Sequence, residues 1–102
     1  MAALVAIGDF AGSVDTNHSC DATTNTDECS SKVFITGVGV VREGHKNKSH
    51  KYPVGDSCPA HTVALSTFSA KVFIEGFGVG RVGDAYGAEI ISGAGQSNVF
   101  AG

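Results

Sequence analysis

Tryptophan is absent from this 102-residue chain, methionine occurs once, proline and tyrosine twice each, and only 17% of residues are charged, against about 25% in an ordinary globular domain. Basic residues are scarce: seven lysines and arginines, scattered rather than striped, in a chain of net charge −3. Such a balance leaves no electrostatic footprint for a phosphate backbone and argues against nucleic acid as a partner. Long apolar runs are missing too, because the most apolar stretch, 2–7, is closed by Gly8 and Asp9, well short of the roughly 18–20 residues a membrane-crossing helix needs. The opening residues lack the basic region and the apolar length of a secretory signal, so synthesis in the cytoplasm is expected. In that compartment the three cysteines, Cys20, Cys29 and Cys58, are expected as thiols or metal ligands rather than as a disulfide framework. One small domain, 1–102, is the expected organisation, and at this size an added staple matters because folding recovers only roughly 60–70% of the unfolded surface.

What the chain has in quantity is glycine, fourteen residues, and a repeat. The segment SKVFITGVGVVREG at 31–44 recurs as AKVFIEGFGVGRVG at 70–83, with nine of the fourteen positions identical, and SNVFAG at 97–102 is a shorter third copy. Each full copy runs from β-branched and aromatic residues (Val33, Phe34, Ile35; Val72, Phe73, Ile74) into Gly37 and Gly39, or Gly76 and Gly78. That pattern predicts a β-hairpin with a tight reversal. Further strands are expected at Leu4–Ile7, Thr62–Leu65 and Glu89–Ile91. No window of helical length is free of glycine, so the fold class is all-β. The glycine strings at 37–39 and 76–80 introduce no helix and are read as turns rather than phosphate cradles. Phe34, Phe68, Phe73, Phe77 and Phe100 are expected to pack in the core or at the base of the molecule, since no basic residues interleave them as in a nucleic-acid platform.

Two polar segments, 11–30 and 43–61, separate the hairpins and are expected to be loops. They hold all four histidines (His18, His45, His50, His61) and all three cysteines. Cys58 and His61 stand three positions apart, close enough to reach one ion with little loop closure, and His18 with Cys20 offers a second local pair. Nitrogen and sulfur donors without clustered carboxylates favour zinc over calcium or magnesium. The plainer alternative leaves the histidines as polar surface and the thiols unliganded. A Cys58–His61 catalytic pair lacks an orienting third member, and Asp15, Asp56 and Asp84 lie beside turn residues, where aspartate usually bonds the backbone. No enzymatic activity is expected.

These residues resemble the PAAR-repeat spike-tip proteins of contractile injection machines, the type VI secretion systems and phage baseplates, over nearly the whole chain. The family signature is a strand followed by Gly-x-Pro-Ala-Ala-Arg-x-Gly-Asp. Residues Gly76-Phe77-Gly78-Val79-Gly80-Arg81-Val82-Gly83-Asp84 keep its Gly, Arg and Gly-Asp frame while replacing the proline and both alanines, and in the first copy His45 stands where the aspartate belongs. His18 and Cys20, then Cys58, Pro59 and His61, match the family's metal motifs, whereas Tyr86 stands where many members have a cysteine. The resemblance implies a structural zinc held by His18, His50, Cys58 and His61, with Cys20 or His45 as substitutes for one of them, and it assigns nothing to Cys29.

It further implies a small cone of β-hairpins with pseudo-threefold symmetry, the zinc near its point. Such a protein is a non-enzymatic, membrane-piercing tip that caps a trimeric β-helical spike, one tip per trimer, assembled on a phage tail or secretion spike and delivered into the target cell envelope. Val33, Ile35, Val72, Ile74 and Val99 are the residues expected to feed the spike-facing surface, and with no fused effector the chain reads as a bare tip. A freestanding zinc-binding β module with a Cys-His catalytic or ligand site is the alternative from another class.

Overall fold

A computed structural model describes residues 2–102. Among these the fold is all-β, without a helix, and its strands are very short. In chain order, β1 (Ala3–Leu4) precedes β2 (Ser13–Asp15) and β3 (Thr23–Asn25). The first repeat supplies β4 (Phe34–Ile35) and β5 (Val38–Gly39), and a second hairpin of different sequence supplies β6 (His50–Lys51) and β7 (Ala60–His61). The second repeat forms β8 (Phe73–Ile74) and β9 (Phe77–Gly78), followed by β10 (Ala85–Tyr86), β11 (Glu89–Gly93) and β12 (Phe100–Ala101).

Both repeated hairpins form as their sequence predicts and share one register, Phe34 opposite Gly39 and Phe73 opposite Gly78. Their two-residue turns, Thr36-Gly37 and Glu75-Gly76, have positive φ at both positions, 52° and 83°, and 53° and 83°. Two left-handed residues match the twist of the flanking strands. The third copy is completed from the far end of the chain: β12 pairs with β1, Phe100 opposite Leu4 and Ala101 opposite Ala3.

Behind the hairpins the three units bond to one another in a closed ring. The Val41 N–H donates to the Ala6 carbonyl (3.0 Å), the Ala6 N–H to Gly80 (2.9 Å), and the Gly80 N–H to Val41 (2.8 Å). Single bridges Ile7 to Val40, Arg42 to Val79 and Val5 to Arg81 flank this ring. Side chains alternate about it. Val5, Val40 and Val79 point to a small core under the hairpins with Ala101, whereas Ala6 and Val41 join a second core of Val14, Leu65, Tyr86 and Ile91. The molecule is elongated, 41 × 25 × 24 Å, with two nearly equal short axes.

The departure of each repeat is fixed by a buried acceptor at one turn. At Arg81 the backbone N–H donates to Asp84 Oδ2 (2.9 Å), and the guanidinium also bonds this carboxylate. In the first repeat the Arg42 N–H donates to His45 Nδ1 (3.1 Å). His45 thus stands in for the aspartate, and its burial, together with the Arg42 charge, lowers its pKa and favours the neutral acceptor.

The polar segments are not simply loops. Residues 11–30 contain β2 and β3, which extend a four-stranded antiparallel sheet in the order β10-β11-β2-β3, and residues 43–61 contain the β6–β7 hairpin. Strands of two or three residues are too short to display an alternating pattern. Conversely, the strand expected at Thr62–Leu65 is only a bridge from Lys46 to Ala64, and the one expected at Leu4–Ile7 is regular only in β1.

Candidate metal centre

The β2–β3 sheet and the β6–β7 hairpin meet where Asn47 bridges Thr26 and the Lys48 N–H donates to the Asn25 carbonyl (2.9 Å). At this seam four side chains converge. His18 comes from the β2–β3 turn, His50 and His61 face each other as a cross-strand pair of β6 and β7, and Glu89 opens β11. Glu89 lies two residues from Ile91 on the same buried face of β11, so the cluster sits directly beyond the second core.

All three imidazoles present Nε2 to one oxygen: Glu89 Oε2 lies 2.9 Å from His18, 2.6 Å from His50 and 3.1 Å from His61, and the Nε2 atoms of His50 and His61 are 2.8 Å apart. The four candidate ligand atoms lie within 4.8 Å of one another. Three ring nitrogens crowd one carboxylate oxygen, more donors than its lone pairs serve well, and two imidazole nitrogens face each other directly. A cation held among them resolves both conflicts. Ligands at zinc distances are about 3.3 Å apart in a tetrahedron, so the cluster needs only small side-chain displacements. Three imidazoles and one carboxylate suit zinc and other transition metals rather than calcium or magnesium.

The surroundings orient these ligands. His50 Nδ1 donates to the Lys48 carbonyl (2.8 Å), so that Nε2, on giving up the proton it shares with Glu89, offers a metal its lone pair. Asn47, fully buried, donates Nδ2 to Glu89 Oε1 (2.8 Å) and accepts the Val63 N–H at Oδ1 (2.9 Å). Tyr52 stacks on His61 with centroids 3.9 Å apart. Burial pushes the Glu89 carboxyl up, but hydrogen bonds from His50, Asn47, His18 and His61 outweigh it and hold its pKa below the usual value. Glu89 is therefore a carboxylate at neutral pH, buried and compensated.

Three of the four residues expected as ligands, His18, His50 and His61, are brought together. The fourth, Cys58, is instead bonded to Cys20, with their Cα atoms 6.1 Å apart. This bridge corrects the expectation of unpaired thiols, and a disulfide sulfur is neither a thiolate ligand nor a nucleophile for His61. The cysteines lie 38 positions apart, and only the folded loops bring them within bonding range. Glu89 takes the fourth place. Its signal in the sequence was slight, a single carboxylate in an apolar strand segment. His45 belongs to the Arg42 turn, and Cys29 lies against Gly8 and Gly39 as a free thiol whose pKa is raised by burial.

At the hairpin end, Val33, Ile35 and Ile74 are partly buried against the core of Val5, Val40 and Val79, while Val72 and Val99 are exposed. Phe34, Phe73 and Phe100 are 56%, 57% and 58% exposed, so these three do not pack in the core. Phe68 is the phenylalanine packed on the larger core, and Phe77 lies under the Arg42 guanidinium at 4.1 Å. Asp15 and Asp84 bond backbone N–H groups, as expected of turn aspartates. Compared with models of known protein families and with curated protein sequences, the chain matches none.

Proposed function

We propose that this chain is a non-enzymatic tip of the PAAR-repeat kind, which caps a trimeric β-helical spike in a contractile injection machine and is stiffened at its far end by a structural zinc. The observation that carries the reading is the ring of Ala6, Val41 and Gly80 with three phenylalanines of nearly equal exposure around it. We read this as a pseudo-threefold arrangement made from one chain. Equivalent positions 34, 73 and 100 offer the same apolar group three times, which suits a partner that presents the same surface three times. Exposed phenylalanines on two-residue strands also leave open hairpin edges that a β-helical partner can satisfy.

The metal reading rests on the donor set. His18, His50, His61 and Glu89 come from four separate segments, so one zinc would tie the β2–β3 turn, both strands of the β6–β7 hairpin and β11 together. In zinc-finger peptides such binding contributes an apparent 10–16 kcal/mol or so near neutral pH. That link adds rigidity to strands of two to five residues, which have few ladder bonds of their own. The spike partner places the protein on a phage tail or secretion spike, bound for a target cell envelope.

Co-expression with the trimeric β-helical spike protein of the same genome tests the proposal. A complex of one chain per spike trimer by native mass spectrometry is expected. Failure to bind, or three chains per trimer, would overturn the capping reading.

A further inference from the structure

We propose that the Cys20–Cys58 disulfide is a redox lock on the metal centre: reducing it loosens the metal, and a bound metal resists its reduction. This inference rests on reading the His18, His50, His61 and Glu89 cluster as a metal site.

The bridge joins the segments that carry His18 and His61. Cys20 is two residues from His18, and Cys58 is three from His61. His50 and Glu89 need no such help, since both are buried on strands and both have further hydrogen bonds, to Lys48 and Asn47. His61 is held by pairing and by the Tyr52 ring. His18 differs from all of them. It lies in a turn, and its buried Nδ1 has no hydrogen-bond partner. The His18 ring meets those of His50 and His61 at 5.6 and 6.0 Å and the Asp21 carboxylate accepts the Lys51 N–H (2.8 Å), but the disulfide is the covalent tie from the His18 turn to the 50–61 segment. Opening the bridge frees that turn to leave the cluster, so His18 must be ordered again each time a metal binds.

The chemistry is thiol–disulfide exchange with a dithiol as reductant. One reductant thiolate attacks a bridge sulfur, the Cys20–Cys58 bond breaks and a mixed disulfide forms, and the reductant's second thiol then displaces the remaining cysteine. Two electrons pass to the protein, both cysteines end as thiols, and the reductant leaves as a cyclic disulfide. Coupling between metal and bridge is reciprocal. If reduction weakens zinc tenfold, zinc lowers the reduction potential of the bridge by about 30 mV.

Zinc affinity of the full chain is measured at one pH by competition with a chromophoric chelator, for oxidised protein, for protein reduced with dithiothreitol, and for C20S/C58S. Expected are one zinc per chain throughout, with affinity at least tenfold weaker and release faster in the last two. Equal affinities, or tighter binding after reduction, would overturn the lock while leaving the metal site standing. Absence of zinc binding by the oxidised chain would remove the site and the lock together. Should C20S/C58S not fold, wild-type protein titrated in dithiothreitol redox buffers with and without zinc decides the matter. A lower midpoint potential with zinc supports the lock, and coincident midpoints overturn it.

Discussion

Asn47 holds the Glu89 carboxylate from one side and the Val63 backbone from the other, without contact with water. Asn47→Asp replaces the amide donor with a second buried carboxylate facing the first. An uncompensated buried charge costs about 3–5 kcal/mol, so thermal denaturation of this variant is expected to show a loss of that order, far above that of a surface substitution. Glu89 itself sets an acid limit. Its folded-state pKa is depressed, so its stabilising contribution is complete above the ordinary carboxyl value of about 4.3 and is lost as pH falls through the lower folded value. Metal-free wild-type protein is therefore expected to lose more stability than Glu89→Gln on acidification below about pH 4, as followed by melts across pH. At this scale three of the four histidines were legible as a cluster from their gathering in two polar segments, whereas His45, in the same surroundings, serves the Arg42 turn. Glu89 was not, since nothing local separates a ligand carboxylate from a strand-end glutamate. The cysteine pairing was hidden for a different reason: it depends on which loops touch.

Glycines of the repeated hairpins serve two separate purposes. Gly76 has φ +83° and open space where a Cβ would stand, whereas a Cβ on Gly78 would lie 2.3 Å from the Ser69 carbonyl oxygen. Gly76→Ala is expected to cost about 1–2 kcal/mol, the strain of a left-handed non-glycine residue. Gly78→Ala forces the backbone of β9 away from residue 69 and is expected to cost more, about 3 kcal/mol or above, the overpacking of a site that cannot relax. Equilibrium urea unfolding of the two variants separates these outcomes. The sequence announced the hairpins clearly through repetition, and it marked both glycines as part of the reversal. Only the register shows that Gly37 and Gly76 make the turn while Gly39 and Gly78 make room for a neighbouring carbonyl. β2, β3, β6 and β7 escaped notice because their pairing is specified by tertiary contact rather than by a run of β-formers.

For the molecule as a whole, the two ends are expected to fail independently. With zinc in the cluster, as proposed, a strong chelator should lower the melting temperature by well over 10 °C, since each kcal/mol lost shifts a domain of this size by about 4–8 °C. The triple variant Phe34→Glu, Phe73→Glu, Phe100→Glu alters only exposed positions, so its melting temperature should stay within a few degrees of wild type while spike binding is abolished in a pull-down. Closure of the ring also has a temporal side. Pairing of β1 with β12 joins segments far apart in the sequence, and the bonds from Ala6 to Val41 and Gly80 are long-range as well. The hairpins β4–β5 and β8–β9 close between sequence neighbours, whereas Leu4 and Val5 bond to Val82, Val99 and Phe100, so the ring is expected to close after the hairpins. Until then β1 is an open edge, the place where a wrong strand would add.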